Sequence, residues 1–247
     1  MRAAPWFGAL LLLGAAIGVP ATTPASVFVD ELTWTELRDE VRAGRTTLLI
    51  PIGGTEQNGP HIALGKHNAR VRLLAERIAR ELGNAIVAPV LTYVPEGRIE
   101  PPTEHMRWPG TISVPAVAFE ATLEAAARSL QRAGLRHVVL LGDHGGYRAS
   151  LERVAARVPG VHALPEYYRA AGIAEHAGAD DTSLTLALAP SMVRADVARA
   201  RAPSKTADGA TGDPRSASAA QGAAIAERIV SHSVTAIRRA VGRQSQK

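Results

Sequence analysis

The side chains best suited to chemistry are gathered in a few Gly-rich stretches. Gly53-Gly54-Thr55-Glu56-Gln57-Asn58-Gly59-Pro60-His61 is followed closely by Gly65-Lys66-His67-Asn68. Gly142-Asp143-His144-Gly145-Gly146 comes later, and Glu175-His176-Ala177-Gly178-Ala179-Asp180-Asp181-Thr182-Ser183 later still. Carboxylates and imidazoles on such turns suit a hydrolytic Zn²⁺, Mn²⁺ or Fe²⁺ site. The glycines let backbone approach a ligand closely. The sequence holds no HExxH, GxSxG or P-loop motif. It holds no cysteine, which excludes a disulfide framework, a thiolate metal site and a cysteine nucleophile.

These stretches are positioned by alternating strands and helices. Residues 46–52 form an apolar run of strand length, ended by Gly53-Gly54. A helix capped by Asn68 follows, with Val71, Leu74, Ile78 and Leu82 on one face and Gly83 at its end. Residues 85–94 read as a second buried strand and 96–109 as a loop rich in Pro, Gly and charge. A helix over 115–133, a strand over 137–141, a helix over 148–157 and a weak strand over 161–164 come next. Helices over 182–188 and 217–241 complete the pattern, with 204–216 as a long loop between them. An earlier helix, opened by the capping box Thr33-Trp34-Thr35-Glu36, runs to about residue 42. The pattern predicts an α/β fold with a largely parallel sheet. Active sites of such sheets lie beyond the carboxyl ends of the strands, which selects the turns after Ile52 and Leu141.

The motifs are more specific than the composition. The run 48–67 resembles the creatininase (creatinine amidohydrolase) signature P-x-G-x-x-E-Q-H-G-P-H-L-P. Residues 104–111, EHMRWPGT, are similar to E-H-x-x-F-P-G-T of that family, and 142–147, GDHGGY, to N-G-H-G-G-N. Residues 176–183, HAGADDTS, are similar to H-A-G-x-x-E-T-S, and 210–215, ATGDPR, to the late G-x-T-G-D-P-R. The blocks keep the family order across 48–237. The resemblance implies a three-layer α/β/α hydrolase with one or two divalent ions, acting on non-peptide C–N bonds, often in cyclic amides.

The resemblance places a glutamate ligand on Glu56, a histidine ligand on His144 and a glutamate ligand on Asp181, one methylene shorter. The family's catalytically implicated histidine falls on His176. Two positions depart from the pattern: a histidine ligand falls on Asn58, and the bridging aspartate falls on His67. A neutral imidazole coordinates one ion and cannot replace a bridging carboxylate, and a neutral amide is a poor Zn²⁺ ligand. The expectation is therefore one ion, Zn²⁺ or else Mn²⁺ or Fe²⁺, held by Glu56, His67 and His144 with Asp181. His176 or Asp181 is the expected acid/base. For several residues a structural reading stands beside the functional one. Asn58 reads as a turn residue, and Asp181 as a possible helix cap. Asp143 reads as an orienter of His144 or a cap. His61 and His105 line the site or satisfy buried backbone.

The remaining composition narrows the partners. The 247 residues are 46% apolar and 21% charged with net charge +5, which excludes wholesale disorder. The basic residues are dispersed, unlike the dense stripe of a nucleic-acid binder. Arg2, the uncharged run 6–19 and the small residues after it read as a signal peptide over 1–25. The run is shorter than a spanning helix requires. A periplasmic or secreted domain over 26–247 is expected, without stable membrane association after cleavage. Its expected partner is a small amide substrate, and the resemblance implies a homo-oligomer. A binding protein with a decayed metal site and a peptidase of small modified peptides are the competing functions.

Overall fold

A computed structural model describes residues 26–201 and 208–244. The expected signal segment over 1–25 lies outside the described residues. Among these, four parallel strands form one sheet: β1 (Thr47–Ile52), β2 (Ala85–Val87), β3 (His137–Gly142) and β4 (Val161–Ala163), in the order β2-β1-β3-β4. The helices are α1 (Trp34–Arg42), α2 (Lys66–Leu82), α3 (Ala116–Arg132), α4 (Arg148–Arg157), α5 (Pro165–Ala171), α6 (Ala179–Leu188), α7 (Ala195–Ala200) and α8 (Ala219–Gln244).

Strand side chains alternate between two apolar layers, as the pleat requires. Leu49, Val139 and Leu141 face α2, α5 and α8 through Leu74, Ile78, Tyr167, Ile225 and Ile229. Leu48, Ile50, Val138 and Leu140 face α3 and α4 through Phe119, Leu123, Leu151 and Val154. Both faces of the sheet are covered, so the fold is the expected three-layer α/β/α arrangement.

Three local expectations are corrected. The second strand is Ala85–Val87, far shorter than 85–94. Pro89 has no N–H to donate, which interrupts the ladder. The chain still tracks β1 beyond it, with Leu91 N–H donating to Pro51 O at 3.0 Å. Gly65, not Asn68, caps α2. The Asn68 Oδ1 instead accepts the Gly54 N–H at 2.9 Å, tying the loop after β1 to the first turn of α2. Finally, α6 starts at Ala179, so Asp181 lies inside its first turn. Its carboxylate reaches back to the Ala177 N–H at 2.9 Å.

Candidate metal centre

The order reverses at β1: the chain passes through α2 to β2 on one side, then through α3 to β3 on the other. A crevice opens at such a switch point. Ile52 pairs with Gly142, so β1 and β3 end level and their polar loops leave side by side. Buried Tyr147 ties the loops together. Its hydroxyl lies 2.8 Å from the carbonyl oxygens of Ile52 and Gly53 and 3.1 Å from the His144 backbone nitrogen, whose N–H it accepts.

Four side chains meet in this crevice. Glu56, Glu96, His105 and His144 each present one ligand atom, and these atoms lie within 4.8 Å of one another. Glu56 Oε2 is 3.2 Å from His105 Nε2 and 3.5 Å from His144 Nε2. Glu96 Oε2 is 3.4 Å from His144 Nδ1. Both carboxylates are buried. Glu56 Oε2, both Glu96 oxygens and His144 Nδ1 have no hydrogen-bond partner among the described residues. Buried polar atoms are costly unless something satisfies them, and two facing carboxylates are costlier. A divalent cation fits this set of donors: two carboxylates and two imidazoles at one point.

The electrostatics agree. Burial, then the neighbouring Glu56 carboxylate, pushes the Glu96 pKa up to about 9, so without a cation it keeps its proton at neutral pH. Burial lowers the His144 pKa to about 3 against the pull of Glu56, leaving the neutral ring that binds metal. For Glu56, burial favours the acid but His67 and Lys66 outweigh it, so it stays ionised. Two glycines make the approach possible. Gly54 has φ +149°, and a Cβ there would lie 2.6 Å from Glu96 Oε1. A Cβ on Gly146 would lie 2.8 Å from the His144 ring.

The other side of Glu56 is occupied differently. His67 Nε2 lies 2.8 Å from Glu56 Oε1, and its Nδ1 lies 2.6 Å from Asp143 Oδ2. With a carboxylate against each ring nitrogen, His67 stands outside the four-residue cluster. Asp181 also stands outside it: Lys66 Nζ donates to Oδ2 and Arg70 Nη1 donates to Oδ1 at 2.5 Å. Burial would raise the Asp181 pKa, but Lys66 and Arg70 hold it well below the ordinary range. Asp143 accepts from Arg70 Nη2 at 2.7 Å and from the Tyr167 hydroxyl at 2.7 Å, so it orients His67 and Arg70 rather than His144. The Asn58 amide donates to the carbonyls of Glu56 and Ala63, as a turn residue does. His61 sits against Ala177 O at 3.0 Å.

A cavity of about 250 Å³ adjoins the cluster, lined among others by Lys66, His105, His144, Tyr167, His176 and Thr211. His176 Nε2 donates to Gln57 O at 2.8 Å, and its Nδ1 lies 3.6 Å from Glu56 Oε1. Sequence reasoning placed Glu56, His144 and His176 at this crevice but missed Glu96. The signal was available: Glu96 follows the carboxyl end of β2, a strand end that the switch-point rule also covers.

The fold and site define a metal-dependent hydrolase of the α/β/α class, and comparison with known proteins gives the family. The family model described as creatinine amidohydrolase matches residues 30–237. A creatinine amidohydrolase of Pseudomonas putida is 29% identical over 203 residues, 69% of this chain and 75% of that protein. A mycofactocin precursor peptide peptidase of Mycolicibacterium smegmatis is 31% identical over 222 residues, 78% of this chain and 84% of that one. A crystal structure of creatininase superposes with TM-score 0.70 at 28% identity, covering 87% of this chain and 98% of the other. A manganese form of creatininase and a zinc–zinc form of a mutant creatininase also superpose, each with TM-score 0.68. The chain belongs to the creatininase family, a family of metal-dependent amidohydrolases.

Proposed function

We propose that this chain is an exported amidohydrolase that cleaves a non-peptide C–N bond in a small amide, cyclic or simple, with one divalent ion. The observation that carries the reading is the set of unsatisfied oxygens on Glu56 and Glu96, facing His105 and His144 beside a cavity. These four residues would hold the ion, Zn²⁺ by preference for its nitrogen and carboxylate ligands, with Mn²⁺ or Fe²⁺ as alternatives. When bound, the ion supplies Lewis acidity that polarises a scissile carbonyl and makes a water more acidic.

The chain's own residues do the rest. Burial lowers the His176 pKa to about 4, with Lys66 acting in the same direction, so its ring is neutral at neutral pH. With Nε2–H committed to Gln57 O, Nδ1 is the atom that takes and returns a proton. In hydrolysis the water oxygen bonds to the carbonyl carbon, the C–N bond breaks, and the water's proton passes through His176 to the departing nitrogen. Asp181, paired with two cations, keeps no proton to give, so it serves by positioning Lys66 and Arg70. The cavity, about 250 Å³, suits a small substrate.

The relative named as a peptide peptidase favours a second reading, a short peptide as substrate. Turnover of lactams and short peptides by wild type and His144→Ala separates the possibilities. An amidohydrolase acts on lactams and loses metal and turnover together in the variant. No turnover on either class, with an unchanged fold in the variant, points to a binding protein. Export rests on the apolar run 6–19. Mass spectrometry of the mature N-terminus checks it, and light scattering checks the proposed homo-oligomer.

A further inference from the structure

This inference rests on the metal-centre reading and deepens it. Glu56 has two sides: Oε2 faces His105 and His144, while Oε1 faces His67 Nε2 at 2.8 Å and Lys66 Nζ at 3.8 Å. Lys66 is 1% exposed, yet its ammonium lies between Glu56 and Asp181. We propose that the Lys66 ammonium occupies the place of a second ion, so that the centre is built for one divalent cation.

Charge balance supports this assignment. Glu56, Glu96, Asp143 and Asp181 are buried carboxyl groups, and Lys66 and Arg70 are buried cations paired with all of them but Glu96. Against four ionised carboxyl groups, Lys66 and Arg70 offset two charges and leave two. A single divalent ion cancels them; a second would add positive charge to a buried site that already holds two cations. The charged and imidazole donors on that side are also engaged. Both Asp181 oxygens are engaged by Lys66 and Arg70, and both His67 nitrogens lie against carboxylates. Asn58 donates its amide N–H groups to backbone carbonyls and leaves that side one neutral, unpartnered amide oxygen, a poor ligand without a carboxylate beside it. A mutant creatininase of similar fold has a zinc–zinc form, so the restriction belongs to this chain's residues rather than to the architecture.

The test is Mn²⁺ titration of the full chain, with bound metal counted by mass spectrometry and spin coupling read by electron paramagnetic resonance. Wild type binds one Mn²⁺ and gives the signal of an isolated ion even at saturation. Lys66→Ala takes the cation from between Glu56 and Asp181, and binds a second, weaker equivalent that broadens the signal through coupling. If Lys66→Ala does not fold, Lys66→Gln is titrated instead with the same expectation. Two coupled ions in wild type overturn the proposal and leave the metal-centre reading standing. One ion in a folded, neutral variant at position 66 overturns the role of Lys66. No bound metal in wild type overturns both the proposal and that reading.

Discussion

His67 Nε2 lies 2.8 Å from Glu56 Oε1, so a buried imidazole braces the carboxylate that faces His105 and His144 from behind. The bracing makes His67 a positioning residue. His67→Ala is predicted to weaken metal binding about 10–100-fold, the usual cost of losing an outer partner of a ligand. His144→Ala is predicted to weaken it further, because a ligand is lost outright. Competition against a chelating dye measures both.

Glu96→Gln removes a carboxylate ligand that sequence reasoning did not identify. It is predicted to lower metal affinity more than His67→Ala does. It also leaves the metal-free fold at least as stable, because a neutral amide replaces a group that burial already keeps protonated. Isothermal titration and denaturant unfolding of the metal-free variant check the two halves.

The raised Glu96 pKa sets a pH dependence. In the metal-free fold Glu96 holds its proton up to about 9, against a normal value of 4.5. Its contribution to metal-free stability is complete below 4.5 and is lost as pH rises through about 9. A cation must displace that proton, so affinity rises with pH towards about 9, by up to about tenfold per pH unit for one proton released. Titrations at several pH values below 9 measure the slope; a flat profile contradicts the assignment.

Arg70 is buried between Asp143 and Asp181, 2.7 Å and 2.5 Å from their oxygens. Arg70→Met takes a buried cation from both carboxylates, and is predicted to destabilise the fold by about 3–5 kcal/mol. Arg148→Ala removes an exposed pair with Glu152 and is predicted to cost less than about 1 kcal/mol. Urea unfolding compares them. Asp143 and Asp181 are held below their ordinary pKa by their cationic partners, against burial. Their stabilisation is therefore present above the ordinary aspartate range and lost as pH falls below it.

Much of this was legible in the sequence. The continuous apolar runs 46–52 and 137–141 gave the central strands, and the polar turns after them gave Glu56 and His144. The motif order gave the family and directed attention to His176. His67 and Asp181 were expected as ligands because motif positions fix only where a side chain starts. What that side chain meets depends on Lys66 and Arg70, which lie on either side of His67 on one turn of α2. No periodicity marks two buried cations as partners of Asp143 and Asp181, since Lys and Arg at helical spacing usually face solvent. Glu96 was hidden by its setting in a loop rich in Pro, Gly and charge. Its role depends on Pro89 shortening β2 and on the chain continuing beside β1 to bring residue 96 over the crevice.

The most direct test of the central claim is a crystal structure of the full chain soaked in Zn²⁺, with the ion located by anomalous scattering. The account predicts one ion per chain bonded to Glu56, Glu96, His105 and His144 at about 2.0–2.2 Å. An ion bound instead by His67 and Asp181, with Lys66 displaced, contradicts it.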